Sequence, residues 1–193
     1  NKAFQYYQKA ADKGNHYGLL NVGLSYFNGQ GVDKNYAKAL KYLTEAANKG
    51  NAIAMDNLAI MYSRGVYVEK DSSKALEFHS KAAELGDAQA QYNLGTIYLN
   101  GTGVLKNKEK ALYNFRQSAD RRNRDGLYGL GYMYEFGIGL NKNILTAQKL
   151  YLFSSRQGNN LASDALKRLN YKYQKHSDFE KKNGFVNNGW LGI

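Results

Sequence analysis

The chain has 193 residues, with 27 lysines and arginines against 16 aspartates and glutamates, and a formal net charge of +11 at pH 7. It contains no cysteine and no proline. Disulfide bonds and thiolate metal sites are therefore excluded, and no proline interrupts a helix. No apolar run approaches the roughly 18 residues that a membrane-spanning helix requires. Residues 100–193 carry 16 basic and 7 acidic side chains, so this half is predicted to meet an acidic partner.

One pattern recurs every 36 residues along the chain without a gap. Each copy contains a tyrosine, a glycine three residues later, a second glycine two residues after the first, and then an alanine. The columns are Tyr26, Tyr62, Tyr98 and Tyr134; Gly29, Gly65, Gly101 and Gly137; Gly31, Gly103 and Gly139, with Tyr67 as the exception; and Ala39, Ala75, Ala111 and Ala147. A fixed interval of this size indicates a solenoid repeat.

Each unit is predicted to hold two helices, because two positions in it suit helix N-caps. These positions hold Asn15, Asn51, Asp87, Asn123 and Asn159, and twenty residues later Asn35, Asp71, Asn107 and Asn143. An N-cap oxygen contributes about 1 kcal/mol by accepting from an unpaired helix N–H. In the second unit we expect helices at about 51–63 and 72–85. The glycines between them supply positive φ in the turn, and a closing glycine suits the position just after a helix.

The interval divides the chain into repeats and two ends. We expect residues 1–14 to be the second helix of a preceding repeat, which predicts that this chain is a segment of a longer one. Small residues on the helix faces allow neighbouring helices to stack into a continuous core. The remaining predicted units are repeats at 15–50, 51–86, 87–122 and 123–158, a C-terminal capping helix at 159–182, and a non-repeat apolar tail at 183–193.

The repeat motif closely resembles the Sel-one-like repeat over residues 2–158. The third unit carries it in Ala90, Leu94, Gly95, Tyr98, Gly101, Gly103, Val104, Ala111 and Leu112, and the first unit supplies the ending in Ala46, Ala47 and Gly50. The resemblance implies an all-α, right-handed α/α superhelical solenoid related to tetratricopeptide repeats, and an adaptor that holds other proteins together. Residues 127–159 are similar to later repeats of the lumenal solenoid subunit of ER-associated degradation ubiquitin ligases.

Two turns depart from the motif. Tyr67 replaces a turn glycine, and its ring either stays exposed on the loop or tucks into the next unit. Arg122 replaces the closing glycine, so that turn either differs in conformation or carries strain. Arg116, Arg121, Arg122 and Arg124 are either a basic contact site for a partner or a solvated run of charge.

The C-terminal end offers two further candidates. Lys167, Arg168, Lys172 and Lys175 form either a basic stripe or the polar face of the capping helix. In the tail, Phe185, Trp190 and Leu191 either cover the last helices or form a docking peptide, since an apolar cluster that is neither packed nor bound is unusual.

Enzyme chemistry is not predicted. His16, His79 and His176 lie far apart, and no HExxH, GxSxG or Walker-type motif is present. The carboxylates of Asp56 and Glu135 have no evident partner in the sequence. The sequence therefore predicts no catalytic residue, no cofactor and no metal, and it indicates no compartment.

Protein binding is the favoured function. In such superhelices the first helix of each repeat lines the concave surface, which here would present Tyr17, Asn21, Asp56, Asn57, Tyr92, Asn93, Tyr128 and Tyr132. The amides of Asn21, Asn57 and Asn93 either bind an extended peptide or hydrogen-bond within the solenoid. A nucleic-acid-binding array is the charge-based alternative, but no base-reading column is evident. A repeat appendage of a larger enzyme is the other alternative.

Overall fold

The computed structural model describes residues 2–170, and every regular element in this part of the chain is an α-helix. The predicted all-α repeat fold is thus confirmed. We call the first helix of each repeat its A helix and the second its B helix. The A helices are α2 (His16–Asn28), α4 (Ala52–Arg64), α6 (Ala88–Asn100) and α8 (Arg124–Phe136); the B helices are α3 (Tyr36–Asn48), α5 (Ser72–Glu84), α7 (Lys108–Asp120) and α9 (Ile144–Arg156); α1 (Lys2–Asp12) precedes them and α10 (160–170) follows.

The predicted N-caps start the helices of the repeats. At α4, Oδ1 of Asn51 accepts from the N–H of Ala54 at 2.9 Å, and at α5 a carboxylate oxygen of Asp71 accepts from the N–H of Lys74 at 2.9 Å. The other caps of α2 to α9 are Asn15, Asn35, Asp87, Asn107, Asn123 and Asn143. Because these contacts are local, the helix starts follow directly from the sequence.

Each A helix ends at a glycine in the left-handed region. Gly65, for example, has φ 69°, and Gly101 has φ 73°. The chain then turns back, and the N–H of Asp71, the cap of the next helix, donates to the carbonyl oxygen of Tyr62 at 3.0 Å. The same bond closes the other three turns at the equivalent tyrosines, Tyr26, Tyr98 and Tyr134. The tyrosine column therefore marks the position where each turn is closed.

The helices stack in chain order. Each A helix contacts the B helix of its own repeat, each of α3, α5 and α7 contacts the next A helix, and α6 also contacts α8. The helices approach closely where small residues face bulky ones: a Cβ placed on Gly95 would lie 2.6 Å from the ring of Phe115. Contacts of this kind, mainly between consecutive helices, are typical of a solenoid.

The two non-glycine turn residues keep the backbone of the glycines they replace. Tyr67 has φ 61° and Arg122 has φ 57°, both in the left-handed region that side chains disfavour. The turn at Arg122 thus keeps its left-handed conformation at the cost of strain, which decides between the two predicted outcomes. Tyr67 is 61% exposed, so its ring stays on the loop surface.

Candidate functional site

The predicted partner-binding side chains of the A helices, except Asp56, form in-register rows together with other residues on the same side of these helices. We call this set the A-helix face. Its members are partly or fully exposed in every repeat, as expected for a surface. They are Tyr17, Asn21 and Leu24; Ile53, Asn57 and Ile60; Gln89, Tyr92, Asn93 and Thr96; and Asp125, Tyr128 and Tyr132.

Asp56 does not belong to this surface, contrary to the prediction. Its side chain is buried, and one of its carboxylate oxygens lies 2.7 Å from Nδ1 of His79 on the B helix α5. The expectation that Asp56 lacks a partner is therefore wrong. Asn93 of the next repeat donates to the same carboxylate at 3.0 Å. Burial of polar groups is tolerated when they hydrogen-bond to each other, and this triad ties the second repeat to the third.

The three amides of the predicted ladder make different bonds. Nδ2 of Asn21 donates to the carbonyl oxygen of Tyr17, and Nδ2 of Asn57 donates to that of Ile53, both at 2.8 Å. These bonds lie within each residue's own helix, whereas Asn93 crosses to the preceding repeat. Because an amide has two N–H donors and an oxygen with two lone pairs, the side chains of Asn21 and Asn57 can still donate to and accept from a bound peptide.

Tyrosines cluster at the C-terminal end of the A-helix face. Tyr92 on α6 and Tyr128 and Tyr132 on α8 are half-buried; burial raises the pKa of Tyr128, and Tyr92 and Tyr132 raise it further. Their rings lean on inner aromatics: Tyr92 lies 5.7 Å from Phe115, and Tyr128 lies 5.6 Å from Tyr151, between ring centroids. Half-buried tyrosines of this kind combine a fixed apolar body with a hydroxyl, a composition favoured at protein interfaces. Tyr17 is 58% exposed at the other end of the face.

Glu135 also has partners, which corrects the second expectation about carboxylates. Its oxygens accept from both terminal nitrogens of Arg168, at 2.6 and 2.8 Å, and from the hydroxyl of Tyr151 at 2.9 Å. Burial, followed by this bond to Glu135, raises the pKa of Tyr151 well above its usual range. Arg168 belongs to α10 and Glu135 to α8, so the site joins the last repeat to the helix after it. Arg168 of the predicted basic stripe thus forms an ion pair within the solenoid. Lys172 and Lys175 of the same stripe lie outside the described residues.

The four arginines of the predicted basic cluster are exposed, but they point to different repeats. Arg121, at the end of the third repeat, donates to the Gln91 side chain of the same repeat at 3.2 Å. Arg124, at the start of the fourth repeat, lies 3.7 Å from the carboxylate of Asp125 and reaches the carbonyl oxygen of Gln157 in the same repeat. Arg116 and Arg122 have no carboxylate within ion-pair distance in the described part of the chain. Most of the positive charge therefore faces solvent without compensation.

Sequence reasoning missed a column of lysines. Lys38, Lys74 and Lys110 each place Nζ over the ring of the repeat tyrosine twelve residues earlier, at 5.0 to 5.1 Å from its centroid. The 36-residue spacing of these lysines was visible in the sequence. Cation–π contacts at exposed sites contribute about 0.5–1 kcal/mol each, so this column stabilises the turns.

The N-cap asparagines also link repeats, which their sequence pattern did not reveal. While Oδ1 of each caps its own helix, Nδ2 of Asn51 bonds to Nδ1 of His16, and Nδ2 of Asn159 donates to Asp125 at 2.9 Å. Asn123 makes the equivalent bond to Gln89. Aspartate at position 87 has no such donor, and burial raises the pKa of its carboxyl.

Residues 2–170 contain no group of three histidines or carboxylates suited to a metal ion, and none of their helices has the length and apolar character needed to cross a bilayer. The predicted docking residues Phe185, Trp190 and Leu191 lie outside the described range.

Comparison with known proteins gives a consistent result. The family model for the Sel1 repeat matches residues 1–15, 16–51, 52–87, 88–123 and 124–159. None of the curated proteins is significantly similar in sequence.

Solved structures share the fold. A protective antigen of uropathogenic Escherichia coli with an SLR fold is 33% identical, with a TM-score of 0.77 over 88% of this chain and 37% of that one. A Sel1 repeat protein from Oxalobacter formigenes is 32% identical, with a TM-score of 0.76 over 87% of this chain and 49% of that one. Cysteine-rich protein B of Helicobacter pylori is 27% identical, with a TM-score of 0.54 over 69% and 96%. The chain thus spans less than half the length of the first two.

Proposed function

The chain belongs to the Sel1 repeat family, and from this premise we propose that it is a non-catalytic adaptor module whose partner proteins bind the A-helix face. Sel1 repeat proteins generally mediate protein–protein interaction and are generally non-catalytic. The observation that supports the choice of face is its register, with exposed or half-buried polar and aromatic side chains repeating along four consecutive A helices. An extended partner segment that follows the stack meets an equivalent row in each repeat.

The basic cluster of Arg116, Arg121, Arg122 and Arg124 is a second contact site in this proposal. Support comes from its exposed charge and from the strained backbone at Arg122, since residues held in disfavoured conformations often serve a function. Arginine suits carboxylate recognition because its planar group donates in pairs. The partner at this site is therefore a protein surface rich in aspartate and glutamate.

Narrower roles remain predictions. The similarity of residues 127–159 to adaptors of ER-associated degradation predicts a ubiquitin-ligase partner, and the alternative of an appendage to a larger enzyme predicts a catalytic domain in the same polypeptide. The chain covers 37% and 49% of two longer structural neighbours, so the activities of those whole proteins are not assigned to it. Identifying the bound partners distinguishes the narrower roles.

Affinity capture from the source cells tests the proposal, performed with and without nuclease and at two salt concentrations. We expect protein partners that persist after nuclease treatment. Exchanging two exposed residues of the A-helix face, Tyr17→Ala with Ile53→Ser, is expected to weaken their recovery. Changing Arg121, Arg122 and Arg124 to glutamate tests the second site. Tyr113→Glu, which alters an exposed tyrosine on the B helix α7, is the matched control and is expected to leave recovery unchanged.

The nucleic-acid alternative makes the opposite prediction. Binding through phosphate contacts collapses steeply as salt rises, because each contact releases counterions. Recovery that disappears with nuclease and falls steeply between the two salt concentrations would overturn the adaptor proposal. If recovery is unchanged both in the A-helix-face variant and in the arginine variant, the partner proteins bind at neither of these two surfaces.

A further inference from the structure

The solvent-facing side of α9 is unusually apolar. Five exposed side chains share this side at positions i, i+4, i+7, i+8 and i+11, which lie on one face of a helix. They are Leu145, Lys149, Leu152, Phe153 and Arg156, and we call them the α9 face. Leu145 is 64% exposed, Phe153 55% and Leu152 41%. Contiguous exposed apolar side chains on a protein surface mark interaction sites more often than single ones do.

The other B helices provide an internal comparison. The five equivalent positions on α3 hold Ala37, Lys41, Thr44, Glu45 and Asn48; those on α5 hold Ser73, Glu77, Ser80, Lys81 and Glu84; those on α7 hold Glu109, Tyr113, Arg116, Gln117 and Asp120. Tyr113 is the single large apolar side chain among these fifteen. A B helix therefore stacks in this solenoid without an apolar outer face, and the three apolar residues of α9 are not required by the fold.

Charge distinguishes the α9 face as well. Its two ionic residues, Lys149 and Arg156, are basic, and Lys142 lies just before the helix. The equivalent positions on α5 are the acidic Glu77 and Glu84. No residue between Glu135 and Asp164 is acidic. A basic rim around apolar side chains attracts a partner with the complementary charge.

We infer that the α9 face binds a partner protein through an amphipathic segment whose apolar side chains are flanked by carboxylates. Leu145, Leu152 and Phe153 contact the apolar side chains of that segment, while Lys149 and Arg156 pair with its carboxylates. An anionic membrane has similar chemistry, but the opposite side of α9 is fixed in the solenoid, with Ala147, Tyr151 and Ser154 fully buried. α9 therefore cannot leave the solenoid, and it offers a bilayer only the three apolar side chains of its outer face, fewer than the long apolar face of an amphipathic membrane helix. This site goes beyond the proposed function, because it uses a B helix and none of the A-helix face.

A synthetic peptide of this chemistry tests the inference with the full 193-residue chain. The probe is a fluorescent helical peptide with leucine and phenylalanine at i, i+3, i+4 and i+7 and glutamate beside them. Its counterpart carries lysine in place of each glutamate. Fluorescence polarisation is expected to show binding of the glutamate peptide at least about tenfold tighter than that of the lysine peptide, a difference typical of a few interface charges.

Two variants borrow their residues from the equivalent positions of α5. Leu145→Ser with Leu152→Ser and Phe153→Lys removes the apolar contacts, and Lys149→Glu with Arg156→Glu reverses the rim. Each is expected to weaken binding of the glutamate peptide by about tenfold or more, and the second is expected to improve binding of the lysine peptide. Since all five side chains are exposed, thermal unfolding by circular dichroism is expected to be unchanged. Tyr113→Glu on α7 is the control that leaves binding intact.

Other outcomes would overturn the inference. Equal binding of the two peptides, or binding that neither variant alters, would show that the α9 face does not recognise this chemistry. Dimerisation of the wild-type chain in sedimentation velocity that both variants abolish would assign the face to a second copy. A change in the emission of Trp190 in the apolar variant would assign it to the chain's own C-terminal segment. Cosedimentation with phosphatidylserine vesicles that both variants abolish would assign it to a membrane. If peptide binding is lost in the A-helix-face variant instead, the peptide binds the A-helix face and the inferred α9 site is wrong, whereas the adaptor role stands.

Discussion

Single residues decide the geometry of the turns between repeats. Gly14, Gly50, Gly86 and Gly158 close the other units with φ between 74° and 85°, and Arg122 takes the same place with φ 57°. The repeat therefore imposes its backbone on a residue that does not favour it. A side chain in the left-handed region costs about 1–2 kcal/mol relative to its ordinary conformation.

Arg122→Gly is therefore expected to stabilise the fold. The relieved strain exceeds the extra conformational freedom that glycine gives the unfolded chain, about 0.4–1 kcal/mol, so we expect the free energy of unfolding to rise by about 0.5–1 kcal/mol. Gly50→Ala is the reverse experiment, because a Cβ there meets no atom within 4 Å. It is expected to lose a similar amount from backbone strain alone. Urea unfolding followed by circular dichroism measures both, and a loss of stability in Arg122→Gly would mean that contacts of the guanidinium group outweigh the strain.

The buried pair of Asp56 and His79 replaces an apolar contact found in the first repeat. The equivalent residues there are Leu20 and Leu43, and Gly23 stands where the second repeat has Ala59. A Cβ on Gly23 would lie 2.9 Å from Leu43. In the second repeat the polar pair is thus combined with the larger Ala59, whereas in the first repeat the two leucines are combined with Gly23.

Restoring the first-repeat residues is expected to be nearly neutral, whereas breaking the pair is not. Asp56→Ala leaves His79 and Asn93 without their shared acceptor, and we expect a loss of about 3 kcal/mol. The triple variant Asp56→Leu, Ala59→Gly and His79→Leu exchanges the buried pair for an apolar one, which is often neutral or stabilising, and leaves the half-buried Asn93 as the one group that must find another acceptor. Thermal unfolding of both variants measures the difference. A triple variant as unstable as Asp56→Ala would show that the polar triad fixes the joint with the third repeat.

At the scale of helices, the spacing between A and B helices depends on glycines that face large side chains. Gly95 faces Phe115, and Gly131 faces Tyr151, where an added Cβ would lie 2.8 Å from the ring. In a helix without such a neighbour, glycine to alanine raises stability by about 1 kcal/mol. The sign of the change therefore reports on packing.

Gly95→Ala is expected to destabilise the protein. The added methyl group forces Phe115 or the two helices apart, and overpacking of this kind costs about 1–3 kcal/mol, more than the gain in helix propensity. Denaturant unfolding gives the net value. Pairing the change with Phe115→Leu is expected to recover part of the loss, and a more stable single variant would contradict close packing between α6 and α7.

The helices were predictable because their signals are local and repeated. Caps such as Asn51 and turn glycines such as Gly65 act within a few residues, and the 36-residue interval supplies each signal several times. The Asp56–His79 pair was not found because its members lie 23 residues apart on two helices. In the other three repeats their columns hold apolar or aromatic residues, so a simultaneous polar change in both columns of the second repeat was the available signal. The predicted binding residues of the A-helix face stay predictions, since their role depends on a partner.

At the scale of the whole molecule, each repeat is stabilised mainly by its contacts with the neighbouring repeats. Among helices α1 to α9 the main contacts join each element to the next, with α6 and α8 as one additional pair. Such a structure behaves as a one-dimensional stack, in which a defect lowers the stability of the adjacent repeats first. The ion pair of Glu135 with Arg168 is one of the contacts that holds α10 on the last repeat.

Arg168→Met is therefore expected to loosen the C-terminal end and leave the N-terminal end unchanged. The change leaves the buried carboxylate of Glu135 with Tyr151 as its remaining partner, and we expect a local loss of about 2–3 kcal/mol. Lys167→Met is the matched control, because its ion pair with Asp164 joins side chains that are 80% and 73% exposed and contributes little. Hydrogen exchange is expected to speed up in Arg168→Met for residues 124–170, with no change for residues 15–50. Equal acceleration at both ends would mean that the array unfolds as one cooperative unit, and equal effects of the two variants would mean that the buried joint contributes no more than a surface pair.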